Sequence, residues 1–422
     1  MLDIKLMRQD PAFFKKALQK KGNFSKIIDE LLKIDEKNRK MNQRRDEFKN
    51  KQNKISKKIA LLKDSEEKQK ILKEMKKSSN ELKEISKEIN KFNDIFMQMF
   101  SNLPNICHES VPKGKNDSEN VEIERVGNIP QFDFKPKEHF TLAEKLGILD
   151  MKRAAKISGS RFYFLRNELA ILQMALMNWA FLEIEKKGFS PTIPPFMTRK
   201  EAIFGTGYLE KDENYIINPG NDDLYLIGTS EVPLTSFHAN EILDEKNLPV
   251  KFAGYSPCFR REAGSYGKDI KGILRVHQFE KIEMVVVCKK EDSWKIHEEM
   301  KEIEKDLLQK LKIPFRVMNI CGGDLGGSAA KKYDLEAWLP GQNKFREMTS
   351  TSNCTDYQAR RLNIKIRRKN GETELAHTLN GTAVSSRPLI AILENFQQKD
   401  GSVKIPQVLW PFTGGLKEIK SR

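Results

Sequence analysis

From Ile27 to Phe100 the chain contains neither proline nor glycine, and a stretch of this length without either residue can only be accommodated as long helix. Apolar residues recur as Ile27, Leu31, Ile34, Met41, Phe48, Ile55, Ile59 and Leu62, at steps of three and four once Asn38, Arg45 and Gln52 fill the intervening slots. A second series runs Ile71, Met75, Ser78, Leu82, Ile85, Ile89, Phe92, Phe96 and Met99 with the same alternation. A period of 3.5 residues marks a coiled-coil seam. The polar stretch from Lys63 to Glu67 breaks the register, so the predicted form is two helices of about 36 residues folded back as an antiparallel hairpin roughly 50 Å long. Polar residues at seam positions weaken such a hairpin and fix its register. Its surface carries Lys33, Lys37, Arg39, Lys40, Arg44, Arg45, Lys49, Lys51, Lys54, Lys57 and Lys58. That run reads either as a solvated coiled-coil face or as a lever whose basic flank grips a phosphate backbone.

The hairpin accounts for a fraction of the 422 residues, and a chain of this length holds two or three domains. Lysine and arginine (75) exceed aspartate and glutamate (59), for a net charge of +16, which points to a polyanionic partner. The greasiest stretch, Ala170 to Leu182, is broken by Gln173 and Asn178 and is too short to span a bilayer, so no membrane partner is expected. The N-terminal Met1-Leu-Asp-Ile-Lys carries Asp3 and no apolar run, so no secretory signal is expected. Cys107, Cys258, Cys288, Cys321 and Cys354 are odd in number and far apart, which argues for a reducing, cytoplasmic setting and against a zinc site.

After the hairpin, Pro104 to Asn120 is polar and reads as a linker, and from residue 121 the texture becomes mixed. The expected organisation is therefore an N-terminal domain over 1–103 with its arm at about 26–100, a linker over 104–120, and a second domain over 121–422. Strands are predicted at Leu224–Gly228, Lys251–Phe259, Ile273–Cys288, Phe315–Asn319 and Tyr333–Leu339, and helices at Ala170–Lys187, Ser293–Leu311 and Pro388–Phe396. Strands clustered with helices, without regular βαβ alternation, imply an α+β domain with a largely antiparallel sheet.

Four polar clusters stand out in that domain. Cys258-Phe-Arg-Arg-Glu-Ala-Gly-Ser-Tyr-Gly267, followed by Leu274 to Met284, reads as strand, loop, strand. Alternation puts Arg260 and Glu262 on one face of the first strand, and Arg275, Phe279 and Glu283 on one face of the second. The set offers a cation for phosphate, an aromatic for a base and a carboxylate for an amine, although each residue alone fits a surface ion-pair ladder over a core Phe. In Gly228-Thr-Ser-Glu-Val-Pro233, Thr229 and Glu231 either point the same way from a strand end or form a helix N-cap with Glu231 in the first turn. Phe345 to Asn353 is polar at an apparent strand end, where Glu347 and Ser350 could hold a divalent cation. In Leu379 to Asn395 a Gly-bearing turn delivers Arg387 to the start of an apolar helix, facing either phosphate or nearby carboxylates.

Taken together these segments resemble the seryl-tRNA synthetases, a class II aminoacyl-tRNA synthetase family, over essentially the whole chain. Met1 to Arg8 with the hairpin is similar to that family's tRNA-binding arm, and Gly188-Phe-Ser-Pro-Thr-Ile-Pro-Pro resembles motif 1, the dimerisation element. Phe259 to Gly267 with His277 to Glu283 resembles motif 2, and Asn380 to Asn395 motif 3. The resemblance implies an antiparallel class II sheet flanked by helices, and activation of serine by ATP followed by transfer to tRNA(Ser), the family also permitting a selenocysteine tRNA. It implies that Arg260 and Arg387 clamp ATP phosphates and carry the catalysis. Arg261, Glu262, Val276 and Phe279 would hold the nucleotide, with Phe279 stacked on adenine. Glu347, Met348, Thr349 and Ser350 would complete the ATP-binding stretch, Glu347 and Ser350 ligating Mg²⁺. Thr229, Ser230, Glu231, Glu283 and Thr382 would surround serine, although Thr382 to Arg387 is one residue shorter than the commonest bacterial pattern. A homodimer through the motif 1 segment is implied as well. A catalytically silent tRNA-binding paralogue is the alternative.

Overall fold

The computed structural model describes residues 1–59, 65–208, 215–216, 223–262 and 271–420. The chain divides into two compact units, Leu2–Pro104 and Asn105–Arg422, the latter together with Met1.

The first unit is dominated by two long helices, α1 (Ser25–Ile59) and α2 (Ser65–Ser101), which pack along each other. The seam keeps the expected positions at Leu31 and Ile89, which are buried, but at its base Ile28 and Phe100 are fully buried where the series named Ile27 and Met99, which are half-buried. Asn38 is also buried there, and its Nδ2 donates to Oδ1 of Asn93 on the opposing helix at 3.2 Å. Asn93 is exposed, so only the buried Asn38 amide depends on this partner, and a slipped alignment would leave that amide without it. Of the expected break at Lys63–Glu67, Lys63 and Asp64 lie outside the described residues, and Ser65 to Glu67 already belong to α2. On the flank, Arg39 and Lys40 are tied to Asp35 (3.1 Å) and Glu36 (2.7 Å), and the Lys37 ammonium lies 5.9 Å from the Phe92 ring centre.

The second unit is built on an eight-stranded sheet: β1 (Val121–Val126), β2 (Ser190–Thr192), β3 (Val250–Phe259), β4 (Gln278–Cys288), β5 (Phe315–Asn319), β6 (Lys331–Leu339), β7 (Lys344–Thr355) and β8 (His377–Ser385). The spatial order is β1-β5-β6-β7-β8-β4-β3-β2. All neighbours are antiparallel except β2 and β3. Three helices cover it: α3 (Asn167–Glu185), α5 (Ser293–Lys310) and α6 (Arg387–Asn395). The short α4 (Glu231–Thr235) lies beside β4. Met284 to Cys288, apolar at every position, is buried because β4 is central and covered on both faces. The main core joins Leu172, Leu176 and Ile184 of α3 to Met300, Leu307 and Leu308 of α5 and to the apolar side of the sheet.

Several expectations about local structure change here. The segment read as a linker packs onto the unit: the Asn105 amide donates to the carbonyls of Ser328 (2.9 Å) and Cys354 (2.8 Å), and Val111 sits in a small apolar cluster with Met318 and Ile320. A buried asparagine replaces apolar area as the anchor, which is why a polarity scan misses it. Strand β3 ends at Phe259, so Arg260 and Glu262 do not share a strand face; Glu262 has φ 51° in the left-handed region. Arg275 precedes β4 and donates to Glu262 at 2.7 Å instead of aligning with Phe279. Gly381 lies within β8, with no turn there: a Cβ would come within 2.7 Å of Thr351 Oγ1 and 2.8 Å of Glu304 Oε1, so glycine is demanded by close approach of the neighbouring strand and helix. At Thr229 the helical alternative describes the chain better than the strand end, since Glu231 opens α4 and its N–H donates to Thr229 Oγ1 at 3.2 Å.

Candidate active site

One face of β4, β7 and β8 forms the floor of a cavity of about 290 Å³. Alternation along β4 places Phe279, Lys281 and Glu283 on that floor, and pairing of Glu283 with Thr382 carries it across to β8. On β7 the alternation is interrupted. The pairing with β6 shifts between Leu335 and Glu336, where Thr349 is opposite Leu335 and Glu347 opposite Glu336. The extra residue, Met348, is a β-bulge, and it changes the parity of the strand. Ser350 and Ser352 face the cavity, and Glu347, three residues from Ser350 and otherwise on the opposite face, faces it too. Thr349 is turned to the back, where its hydroxyl donates to Glu304 of α5 at 2.9 Å.

The cavity thus collects Glu231, Arg260, Glu262, Val276, Phe279, Glu283, Glu347, Met348, Ser350, Thr382 and Arg387 from four separate sequence clusters. Four other expected residues do not line it. Ser230 donates to the Gly254 carbonyl at 2.9 Å, Thr229 caps the Glu231 N–H, Thr349 faces α5, and Arg261 is exposed. Tyr208, Lys281, Lys332, Asn380, Ser385 and Ser386 line the cavity without having been expected there.

At one end two carboxylates are buried. Glu231, 2% exposed, accepts from the Tyr208 hydroxyl (2.5 Å), Gln358 Nε2 (2.8 Å) and Asn380 Nδ2 (3.0 Å). Burial, followed by repulsion from Glu283, pushes its carboxyl above the usual range, against the pull of the Tyr208 and Gln358 bonds. Burial, with Glu231 adjacent, also pushes the Tyr208 phenol well up, so Tyr208 stays a donor. Glu283, 3% exposed, meets Lys281 Nζ at 2.6 Å and the Thr382 hydroxyl at 3.1 Å.

At the other end the charge is positive. Arg260 donates to the Gly228 carbonyl (3.1 Å), and its guanidinium lies 5.1 Å from the Phe279 ring centre, close enough for a cation–π contact. Arg387, at the first turn of α6, meets the Glu347 carboxylate and carbonyl, each at 3.1 Å. Burial raises the Glu347 carboxyl, but Arg387, then Lys332 and Arg260, outweigh it and hold the group below the usual range. A carboxylate kept ionised beside a serine hydroxyl is a hard oxygen set of the kind Mg²⁺ accepts when substrate phosphates supply the rest of the shell, so the donors fit that ion. Among the described residues no cluster of three or more His, Cys, Asp or Glu side chains could hold a metal by itself.

Two side chains of α5 brace β7 from behind. Glu304 receives the Thr349 hydroxyl, and His297 Nε2 donates to the Thr351 carbonyl at 3.1 Å. Burial, reinforced by Glu283 and Asp334, pushes the Glu304 carboxyl well up, and burial lowers the His297 imidazole to about 4. His297 is therefore neutral at neutral pH, and at Glu304 burial favours the protonated form, as a low-dielectric location requires.

Residues 214–396 match the family model for the class II tRNA synthetase core domain (G, H, P, S and T), and residues 1–107 match that for the seryl-tRNA synthetase N-terminal domain. The serine–tRNA ligase of Pyrococcus abyssi is 48% identical over 99% of this chain and 97% of its own length. The crystal structure of seryl-tRNA synthetase from Pyrococcus horikoshii complexed with ATP matches with a TM-score of 0.89 at 45% identity, covering 100% of both chains. The cytoplasmic serine–tRNA ligase of Naegleria fowleri in complex with AMP matches with a TM-score of 0.85 at 34% identity, over 100% of this chain and 99% of that one.

Proposed function

The chain belongs to the seryl-tRNA synthetase family, and from that membership we propose how its own residues divide the work. It is an ATP-dependent ligase that joins serine to tRNA. The observation that carries the residue assignment is the convergence, in one cavity, of a cationic end bearing Arg260, Arg387 and Phe279 and an anionic end bearing Glu231 and Glu283.

ATP lies with adenine against Phe279, Val276 and Met348, and with its phosphates between Arg260 and Arg387. Glu262 sits at the adenine side. Glu347 and Ser350 would hold Mg²⁺, which when bound would neutralise phosphate charge. Serine enters with its ammonium toward Glu231 and its hydroxyl toward Glu283 and Thr382. Its carboxylate attacks the α-phosphorus in line and pyrophosphate leaves; the terminal ribose hydroxyl of tRNA then attacks the adenylate carbonyl, and AMP is expelled with the hydroxyl proton passing to its phosphate. Arg260 is fixed before the reaction by the Gly228 carbonyl, so it meets developing charge without reorganising. Arg387 must exchange Glu347 for phosphate, which frees the Glu347 carboxylate as a ligand.

The polyanion is tRNA(Ser), gripped by the basic flank of the α1–α2 hairpin, and two copies associate through the motif 1 segment. Ile171 and Met174 on α3, and Ile193 just after β2, are 48%, 61% and 69% exposed, an apolar group in that region for a second copy to cover. No helix among the described residues is long and apolar enough to cross a membrane. From its role in joining serine to tRNA, the site of action is proposed to be the cytoplasm. ATP–pyrophosphate exchange over a panel of amino acids tests the assignment. Exchange with serine well above alanine, glycine and threonine is expected, and a protein that binds tRNA without exchange would be the silent paralogue.

A further inference from the structure

Lys281 has no task in the scheme above, yet it is 5% exposed and lines the cavity between Phe279 and Glu283. Its Nζ is 2.6 Å from Glu283 Oε2, and that same oxygen accepts the Thr382 hydroxyl. Oε2 is therefore engaged by an ion pair and by a hydroxyl, whereas neither contact is made to Oε1. Burying an ammonium is costly, and a lysine is retained there only if its charge is used. Other groups act on the pair from neighbouring elements: Glu231 on α4, Tyr208 before it, Cys258 on β3, and Glu304 behind the sheet. None of these four brings a positive charge. Two carboxylates and one lysine leave a single negative charge, which one substrate ammonium balances.

We propose that Lys281 is a positioning residue for amino-acid choice: with Thr382 it occupies Oε2 of Glu283 and compensates its charge, leaving Oε1 as an acceptor that only a hydroxyl-bearing substrate satisfies. The inference rests on the assignment of Glu231 and Glu283 to serine. An ionised acceptor left without a donor is expensive in a buried site, so alanine is rejected for what it lacks. Without Lys281 the Glu283 carboxylate would lose the contact that holds Oε2 and would face Glu231 uncompensated, so it would turn and no longer present Oε1 to the substrate hydroxyl.

The test is pyrophosphate exchange by the full chain with serine and with alanine, for wild type, Lys281→Met, Lys281→Gln, Glu283→Gln and the Lys281→Met/Glu283→Gln double variant. Lys281→Met is expected to raise KM for serine about tenfold or more, the loss of one charged bond. KM for ATP should stay near its wild-type value, and the preference for serine over alanine should shrink. Lys281→Gln, which keeps volume and a donor without charge, should fall between, and it carries the same comparison if Lys281→Met does not fold. In the Glu283→Gln background, removing Lys281 should cost little more, because the partner it acts through is already neutral. Parallel rises in KM for serine and ATP, an unchanged preference, or the same loss in either background would overturn the proposal. Failure of the underlying assignment shows separately, as a Glu283→Gln variant with wild-type KM for serine.

Discussion

Glu231 has an elevated affinity for protons, caused first by burial and then by Glu283, and this gives serine binding a pH dependence of defined sign. Below its titration the carboxyl is neutral and attracts an ammonium weakly; above it the carboxylate is ionised. KM for serine should therefore fall as pH rises through that titration and then level, while KM for ATP stays flat. Glu231→Gln, which preserves shape, should raise KM for serine about tenfold or more, the equivalent of a charged hydrogen bond, and abolish the pH dependence. A pH-independent wild-type KM would separate Glu231 from the ammonium. Arg387→Ala should lower the adenylation rate by about 10²–10³-fold with little change in Tm, because a partly exposed Arg–Glu pair is worth under about 1 kcal/mol to stability, whereas a phosphate clamp acts on the transition state. Rapid-quench rates and melting curves on one preparation separate the two effects. Residue type and motif spacing point to Glu231, Glu283, Arg260 and Arg387. Lys281 is placed by the same alternation as Phe279 and Glu283, and goes unnoticed because a lysine in a strand reads as solvent-facing. Tyr208 and Asn380 reach Glu231 only through tertiary contact, and no local pattern marks them.

At the scale of the element, the polar strands are the hard ones to read. The apolar β4 and the amphipathic α5 announce themselves by periodicity. Residues 344–355 and 377–385, which line the cavity, have their alternation masked by the serines, threonines and asparagines that a ligand site requires. The bulge at Met348 shows why parity arguments from sequence are fragile at such sites, since one inserted residue decides that Glu347 faces the cavity and Thr349 faces α5. Gly381 shows the converse, a glycine read as a turn but required by the approach of Thr351 and Glu304. Gly381→Ala should cost about 1–3 kcal/mol in unfolding free energy, the usual range for overpacking. It should also raise KM for serine, because its neighbours Asn380 and Thr382 hold Glu231 and Glu283. Chemical denaturation and exchange kinetics would check both, and an unperturbed protein would show that the strands yield at no cost.

The whole molecule separates two tasks that its sequence separates as well. The hairpin is legible throughout because a heptad seam is a local signal repeated many times, whereas the eight-stranded order β1-β5-β6-β7-β8-β4-β3-β2 joins distant residues, such as Val121 with Asn319 and Glu283 with Thr382. All the cavity residues lie beyond residue 205, in the second unit, while the hairpin belongs to the first. Adenylation should therefore survive loss of the arm, and charging should not. The cut must spare the apolar base formed by Ile28, Leu31, Ile89 and Phe100, so the variant removes Asn42 through Glu88 and closes α1 onto α2 with a short Gly-Ser bridge. Pyrophosphate exchange with serine should remain near wild type, and aminoacylation of tRNA should drop to background. A finer version keeps the arm and neutralises Lys33, Lys49, Lys51 and Lys54, whose ammonium groups make no ion pair among the described residues, unlike Arg39 and Lys40. Each phosphate that is no longer neutralised should flatten the log–log dependence of tRNA binding on salt by about 0.7–0.9. Loss of exchange in a folded arm-deleted variant would count against this division of labour, and a salt slope indifferent to the four lysines would mean that the basic flank is a solvated surface and that tRNA is held elsewhere.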